Sequence, residues 1–469
     1  MRKPERHRFT RRQMVASLSL GTLGLLSGCS GNDQENPDVE ESENGDGEGT
    51  ETDSDDESGK DNNSGEEGVD EENASKYTVG FEHPDAVFPD QPFEMIISGL
   101  PPEKTVKIRL GDSGRPRSAA AKIQTNQGGR VNIDEATIVG GDVPQEVNVP
   151  LPVVLHQFVD LSFRRARESG PQTAQYSLEI DGEDIGSTTV TRRHPNIESA
   201  KAIDHDEIVG DVFEPTNGGP GPGVVVLHGS NAIRRQYVAG LLAQRGFTAV
   251  ALQYFDAPGL PKELMEVPLG YVETTTEWLL DHKSVTGDQV GLLGYSKGGE
   301  LALLAGSQFE SVGAAVSISG SGVTWQGFSN DVFSSSWALN GDPTPYISLV
   351  DEGWEGNPIQ GYTNSLEAAS EEEIEAATIP VEEINGPVLL ISGGEDRIWN
   401  AVRLHRIAEE RLANHDHPSF DHLVYDNAGH VITPPYLGLS EIEGGTRAGK
   451  AEASHDHWPQ VCETLSALE

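Results

Sequence analysis

Cysteine is nearly absent from this chain of 469 residues, which contains only Cys29 and Cys462. A framework of several disulfides in place of a core is therefore excluded. Basic residues are also scarce, since 33 lysines and arginines stand against 76 aspartates and glutamates, a formal net charge of −43. Because phosphate contacts require cations, nucleic acid is not an expected partner. Such acidity is better explained by solubility in high salt, where screening removes the self-repulsion, than by an acidic substrate site.

Long apolar runs are lacking too, and a short one near the N-terminus follows Arg11 and Arg12 and ends in the sequence LSGC at Cys29. It is too short to span a bilayer. Residues 1–29 resemble a twin-arginine export signal with a lipobox, which predicts an exported protein lipid-anchored through Cys29 to the outer face of the cell membrane. The alternative is an uncleaved membrane anchor. With Cys29 lipidated no intrachain disulfide is possible, and we interpret Cys462 as a packed helix residue.

Residues 30–75 are too polar to form a core. Between Gly31 and Ser75 there are about 19 acidic residues, one lysine and almost no large apolar side chain. Such a segment cannot bury enough surface to offset its ordering entropy. We therefore expect a disordered acidic tether, and a charge of roughly −30 on the folded remainder.

The first folded region, 76–195, has the pattern of a small β-sandwich. Stretches 93–98 and 106–110 are β-like, with the turn sequence GLPP between them, and 176–180 and 187–191 flank an Asp-Gly hairpin turn. Since no long helical period is apparent in this region, two packed sheets are the best prediction.

The second region, 196–469, alternates apolar runs with helical stretches. The runs are 224–227, 247–254, 290–293, 312–318, 388–391 and 422–425, and the helical stretches are 235–244, 271–281, 299–307, 402–413 and 452–468. This alternation predicts the α/β class, with a mostly parallel sheet and helices on both faces. Residues 322–383 are poorly periodic apart from a helix-like segment at 367–376, and lie where a lid or other insertion is expected.

A G-x-S-x-G motif, GYSKG, places Ser296 between a predicted strand and a predicted helix. In this context the strained turn lifts the serine hydroxyl above the sheet edge, and the flanking glycines allow the backbones to approach closely. Ser296 is therefore the candidate nucleophile. The alternative is a serine in an ordinary helix cap.

A serine nucleophile needs a base and a carboxylate that orients it. Asp396 and His430 each follow a predicted strand, in the chain order expected after the serine. Both lie where loops cluster at the carboxyl ends of parallel strands. We predict His430 as the base and Asp396 as the orienting acid, with Glu395 as a rival for the acid.

Backbone donors must also meet the oxyanion. We expect the N–H groups of Lys297 and Ser230, with Asn231 as the next candidate. Arg234 and Arg235 follow, and either meet an anionic part of the substrate or open a surface helix.

Four histidines form His-Asp-His clusters, at His415, His417, His455 and His457. They lack regular metal-ligand spacing, so we interpret them as solvated surface.

Several separated stretches together resemble the acyl-CoA thioesterase / bile acid-CoA:amino acid N-acyltransferase family. The matching stretches are residues 222–229, 241–254, 291–304, 394–399 and 428–436, the last of which carries the unusual sequence AGHVITPPY. The resemblance covers nearly all of 77–469. It implies a β-sandwich ahead of an α/β-hydrolase domain and a Ser296, Asp396, His430 triad.

The resemblance also bears on the reaction. Members that transfer the acyl group to an amino acid have cysteine at the position of the nucleophile, whereas thioesterases commonly have serine there. Ser296 therefore favours hydrolysis of an acyl thioester or related ester, and no cofactor is indicated. The alternatives are a carboxylesterase or dienelactone-hydrolase-like esterase, acyl transfer to an amine, and a binding protein without turnover.

Overall fold

The computed structural model describes residues 77–112, 118–159, 171–329, 332–354, 358–437 and 443–468. The predicted export signal with Cys29 and the predicted acidic tether lie outside these residues. Among the helices in these ranges, none is both long and apolar enough to cross a bilayer. The described chain forms a β-rich part that ends at Arg193 and an α/β part that begins at Lys201.

Two sheets make up most of the β-rich part. Its strands are β1 Gly80–Glu82, β2 Ala86–Val87, β3 Ile96–Ser98, β4 Thr105–Asp112, β5 Ser118–Gln124, β6 Val131–Asn132, β7 Ile138–Gly141, β8 Pro171–Ile180 and β9 Glu183–Arg193. They form a three-stranded sheet, β1-β3-β6, and a six-stranded sheet, β2-β9-β8-β4-β5-β7. Ile97, Ile108 and Tyr176 belong to one hydrophobic core that both sheets share. This arrangement confirms the predicted β-sandwich.

The turns of this part only partly follow the prediction. The hairpin of β8 and β9 is as expected, because Asp181 and Gly182 both take the positive φ that its tight turn requires. By contrast, β3 and β4 belong to different sheets, so the GLPP turn carries the chain from one sheet to the other.

The β-rich part also contains a helix, α1 (Leu151–Phe158), which the sequence pattern does not predict. It is short, and its apolar sequence LPVVLHQF has no polar face to reveal a helical period. Pro152 is tolerated because the first turn of a helix has no N–H bond to lose. The helix is almost wholly buried, and it packs against the last helix of the chain.

An eight-stranded sheet forms the centre of the α/β part, in the order β10-β11-β13-β12-β15-β16-β19-β20. The strands are β10 Lys201–Ala202, β11 Val209–Phe213, β12 Gly221–Leu227, β13 Thr248–Gln253, β15 Val285–Tyr295, β16 Val312–Ile318, β19 Val388–Gly393 and β20 Phe420–Tyr425. The first two strands run antiparallel to their neighbours, and the other pairs are parallel.

Helices cover both faces of this sheet. The helices of the α/β part are α2 Gln236–Gln244, α3 Leu269–Leu280, α4 Lys297–Gly306, α5 Pro358–Ala368, α6 Glu371–Ala377, α7 Ala401–Asn414 and α8 Arg447–Ser466. Helices α3, α4 and α7 share one hydrophobic core with the sheet, and α2 and α8 share the core on the other face. The predicted α/β class with a mostly parallel, doubly covered sheet is confirmed.

The insertion lies between β16 and β19. Its strands β17 (Trp337–Leu339) and β18 (Asp342–Pro343) form a small sheet with β14 (Val267–Pro268). The segment predicted as one helix at 367–376 is instead the end of α5 and the start of α6. The break occurs because Ser370 and Glu373 form a capping box that starts a new helix.

Candidate active site

The turn between β15 and α4 holds Ser296 in a strained conformation, with φ 55° and ψ −120°. Such a backbone is costly for a residue with a Cβ atom. The two motif glycines allow the strand and helix to cross closely. A Cβ on Gly294 would lie 1.9 Å from the Gly298 carbonyl oxygen, and one on Gly298 would lie 2.4 Å from that of His228. The structure thus has the predicted strand, tight turn and helix around Ser296.

Two further side chains reach Ser296 from the loops after β19 and β20. His430 Nδ1 lies 2.8 Å from Asp396 Oδ2, and His430 Nε2 lies 3.0 Å from Ser296 Oγ. Because the carboxylate accepts a hydrogen bond from the Nδ1–H group, Nε2 is left as the acceptor that faces the serine hydroxyl. The structure therefore brings the three predicted residues together in one hydrogen-bonded row.

Asp396 is held in place by its own loop. Its Oδ1 accepts the backbone N–H groups of Ile398 at 2.7 Å and Trp399 at 3.2 Å, which leaves Oδ2 for His430. The indole of Trp399 donates to the Ser319 carbonyl oxygen at 2.8 Å, and its ring lies edge-on to His430. Glu395, the rival acid, is exposed.

The pKa of His430 is set by opposing influences. Burial acts to lower it, but the charge of Asp396 and its hydrogen bond outweigh burial, and Glu443 adds to them. Arg235 opposes the rise. The net result is a pKa raised above the ordinary value for histidine.

The two predicted oxyanion donors lie on segments that meet at the serine. Lys297 is the first residue of α4. Ser230 follows Gly229, where an added Cβ would lie 3.3 Å from Ser296 Cβ. The side chain of Asn231 instead accepts the backbone N–H of Ile233, which shapes the turn.

Arg234 and Arg235 have different environments. Arg234 forms an ion pair with Asp211 at 2.6 Å, so its charge is engaged within the protein. The guanidinium of Arg235 lies over the ring of Tyr295, the residue before Ser296, 4.9 Å from the ring centroid.

The interpretation of the four clustered histidines as solvated surface is wrong for two of them. His417 and His457 are buried, and each ring donates to a backbone carbonyl oxygen, of Ile384 and Ala453 respectively. Burial lowers the pKa of His457 to about 4. Within the described ranges, no group of three or more His, Cys, Asp or Glu residues is placed to hold a metal ion.

Four buried residues behind the site were not singled out from the sequence: His228, Tyr254, Glu300 and Trp337. Burial lowers the pKa of His228 to about 3 and so keeps its ring neutral, and Arg235 and Arg234 act in the same direction. A signal for Glu300 was available, because it is a carboxylate in the otherwise apolar helix sequence GGELALL. The other three carry no such signal, since their contacts join distant parts of the chain.

The strand order, the strained serine turn and the hydrogen-bonded row place the chain in the α/β-hydrolase fold. A model of the family described as BAAT / Acyl-CoA thioester hydrolase C terminal matches residues 267–464.

Similar proteins include thioesterases and an N-acyltransferase. The chain is 27% identical over 406 residues to peroxisomal succinyl-coenzyme A thioesterase of Mus musculus, covering 79% of this chain and 92% of that protein. It is 28% identical over 400 residues to acyl-coenzyme A thioesterase 1 of Homo sapiens, covering 79% and 92%. It is 26% identical over 410 residues to acyl-coenzyme A amino acid N-acyltransferase 1 of Mus musculus, covering 79% and 93%.

Solved structures with some likeness include a dienelactone hydrolase-like promiscuous phosphotriesterase from metagenomic libraries. It is 17% identical, with a TM-score of 0.38, covering 58% of this chain and 98% of that one. The 2,6-dihydroxy-pseudo-oxynicotine hydrolase is 15% identical, with a TM-score of 0.35, covering 57% and 67%.

Proposed function

We propose that the protein belongs to the acyl-CoA thioesterase / N-acyltransferase family and is a serine hydrolase that cleaves acyl thioesters. The observation that carries the proposal is the hydrogen-bonded row from Asp396 through His430 to Ser296. Similarity to proteins named acyl-coenzyme A thioesterases supports a thioester as the bond that is cleaved.

In the first half of the reaction, Ser296 Oγ attacks the thioester carbonyl carbon while His430 Nε2 takes the hydroxyl proton. The Asp396 carboxylate stabilises the imidazolium that forms. The N–H groups of Lys297 and Ser230 meet the oxyanion of the tetrahedral intermediate. When the intermediate collapses, the carbon–sulfur bond breaks, the thiol leaves with the proton from His430, and the acyl group remains on Ser296.

The second half releases the acid. His430 takes a proton from water, which attacks the acyl-enzyme carbonyl carbon, and the second tetrahedral intermediate meets the same two N–H groups. Collapse returns the proton to Ser296 Oγ and frees a carboxylic acid. No step requires a cofactor.

Acyl transfer to an amine is the second candidate, because one similar protein is named an amino acid N-acyltransferase. The two reactions share the acyl-enzyme and differ only in the nucleophile that attacks it. An oxygen ester in place of the thioester would make the protein a carboxylesterase with the same residues.

The proposal is tested with the full-length protein and a panel of acyl-CoA thioesters from acetyl to palmitoyl, each with its p-nitrophenyl ester, with and without added glycine. We expect thioester turnover that Ser296→Ala lowers on the order of 10⁴-fold or more. The matched control is Ser199→Ala at an exposed serine, which leaves turnover unchanged.

Each other outcome has one meaning. Turnover of esters alone identifies a carboxylesterase, and an N-acylglycine product identifies a transferase. Turnover that is equal in the unmodified protein and Ser296→Ala excludes Ser296 as the nucleophile and overturns the proposal.

A further inference from the structure

A buried ion pair lies directly behind the nucleophile. Lys297 and Glu300, both on α4, are 1% and 0% exposed, and Lys297 Nζ donates to both carboxylate oxygens at 2.7 Å. Glu300 Oε1 also accepts hydrogen bonds from the backbone N–H of Trp325 at 3.1 Å and from the indole N–H of Trp337 at 2.7 Å. A buried ion pair contributes little net stability, because desolvation offsets the attraction between the charges. Its place behind Ser296 suggests a use other than stability.

Trp337 continues from this ion pair to the loop of the other predicted oxyanion donor. Its ring centroid lies 5.9 Å from that of Tyr254, and the Tyr254 ring stacks on His228 at 4.1 Å with 5° between the planes. The Tyr254 hydroxyl donates to the His228 carbonyl oxygen, and His228 Nδ1 lies 2.7 Å from the Gly229 carbonyl oxygen. Tyr254 thus fixes both the ring and the backbone two residues before Ser230.

We propose that Trp337 and Glu300 are positioning residues that hold the two oxyanion donors, the N–H groups of Lys297 and Ser230, at a fixed separation. The connection runs from Lys297 through Glu300 and Trp337 to Tyr254 and the loop that begins at His228. This inference rests on the proposed function, since it assumes that an oxyanion forms at Ser296.

The physical need for such a connection comes from the topology. One donor follows β15 and the other follows the neighbouring strand β12. The ladder between these two strands ends at the pair Leu227 and Gly294, three residues before each donor, so its hydrogen bonds do not extend to the donors themselves. Donors stabilise the oxyanion only when they lie 2.7–3.1 Å from the place where it forms. Because Trp337 belongs to the insertion, the insertion helps to build the catalytic site from behind.

Loss of this connection is expected to affect the transition state more than the bound substrate. Interactions present only in the transition state lower kcat when they are lost and leave KM nearly unchanged. Partial unfolding would also lower the apparent kcat, because it reduces the amount of active enzyme, but it would leave the affinity of the folded protein for a transition-state mimic unchanged. The affinity for such a mimic is therefore the deciding measurement.

The chain offers a matched control for Trp337. The indole of Trp458 donates to the buried Asp90 carboxylate at 2.7 Å, and Asp90 is paired with Arg245 at 2.8 Å. Trp337→Phe and Trp458→Phe therefore remove the same kind of bond, an indole N–H to a buried ion-paired carboxylate. Only the first lies next to the proposed oxyanion donors.

The experiment measures kcat and KM of the full-length variants on octanoyl-CoA and p-nitrophenyl octanoate, and inhibition by an octyl trifluoromethyl ketone. The ketone mimics the oxyanion once the serine hydroxyl adds to it. For Trp337→Phe we expect kcat to fall about tenfold, KM to stay within about twofold, and ketone affinity to fall by about the same factor as kcat. Trp458→Phe should change none of these.

Tyr254→Phe is the second variant, because it removes only the hydroxyl that holds the His228 carbonyl oxygen and keeps the ring stack. It should shift kcat and ketone affinity in the same direction, and it decides the question if Trp337→Phe does not fold. Wild-type kcat and ketone affinity in Tyr254→Phe and in folded Trp337→Phe overturn the inference. Full turnover in Ser296→Ala instead overturns the proposed function, whatever the result for Trp337→Phe.

Discussion

At the scale of single residues, Asp396 decides the protonation state of His430. Its charge and hydrogen bond raise the pKa of the imidazole against the effect of burial. In the proposed mechanism His430 is the base and acts only when neutral, so kcat/KM should rise with pH through a midpoint above the ordinary histidine pKa of about 6.5. The carboxylate thus moves the midpoint upward while it holds the correct tautomer.

Asp396→Asn is expected to separate these two effects. It should lower kcat about 10⁴-fold, because the amide neither fixes the correct tautomer of His430 nor stabilises its imidazolium. The midpoint of the residual activity should lie at lower pH, because the negative charge that raises the pKa of His430 is gone. The measurement is a pH profile of kcat/KM on octanoyl-CoA. Glu395→Gln, at the exposed neighbour, is the control and should leave both quantities unchanged. An unchanged midpoint in Asp396→Asn would show that another group raises the pKa.

The candidate site was predictable from the sequence to the extent that strand ends reveal it. Ser296, Asp396 and His430 each follow an apolar run, and parallel strands gather their carboxyl ends at one edge. Glu300 and Trp337 could not be connected with the site in this way. Their contacts depend on how the insertion packs behind the sheet, which no local pattern records.

At the scale of secondary-structure elements, the turn from β15 to α4 stores strain at Ser296. Glycine has no Cβ atom and adopts this positive φ without steric conflict, whereas the Cβ of alanine keeps the conflict. We therefore expect Ser296→Gly to have a free energy of unfolding about 1–2 kcal/mol above that of Ser296→Ala, although both are inactive. Denaturant midpoints followed by circular dichroism measure the difference.

The control for this prediction lies at the other end of the same helix. Ser307 has φ −78° and ψ −10°, which any residue adopts. Ser307→Gly should therefore be less stable than Ser307→Ala, by about 0.5–1 kcal/mol. If the alanine variant is the more stable one at position 296 as well as at position 307, the serine turn stores no strain.

The elements predicted correctly are those with a strong and repeated pattern. The buried parallel strands read as continuous apolar runs, and the amphipathic helices between them show their period. β10 and β11 were missed because they are short and lie at or next to the sheet edge, and β11 carries Gly210 and Asp211 within its five residues. α1 was missed because it is buried nearly all round.

At the scale of the whole molecule, the β-sandwich contacts the segment that follows His430. The guanidinium of Arg192 lies 3.8 Å from the ring centroid of Tyr436 and donates to the Pro89 carbonyl oxygen at 3.2 Å. His156 of α1 meets the same tyrosine ring edge-on at 5.3 Å. The order of the two folded parts was predictable from the change in pattern, but which of their surfaces meet was not.

Asp90 forms a further polar connection between the two parts. Its buried carboxylate, in the loop after β2, accepts from Arg245 at the end of α2 and from Trp458 of α8. Its removal leaves a partly buried guanidinium and a buried indole N–H without their acceptor. Asp90→Ala should therefore lower the free energy of unfolding by about 2–4 kcal/mol.

Because this contact lies away from Ser296, kcat of the folded Asp90→Ala protein should equal that of the unmodified chain. The measurements are denaturant unfolding and octanoyl-CoA turnover, with Asp288→Ala at an exposed position of β15 as the control that changes neither. A fall in kcat without a fall in stability would mean that the β-sandwich acts on the catalytic residues themselves. The expected result instead assigns the sandwich a supporting role, in which it stabilises the hydrolase part while the chemistry stays at the ends of β15, β19 and β20.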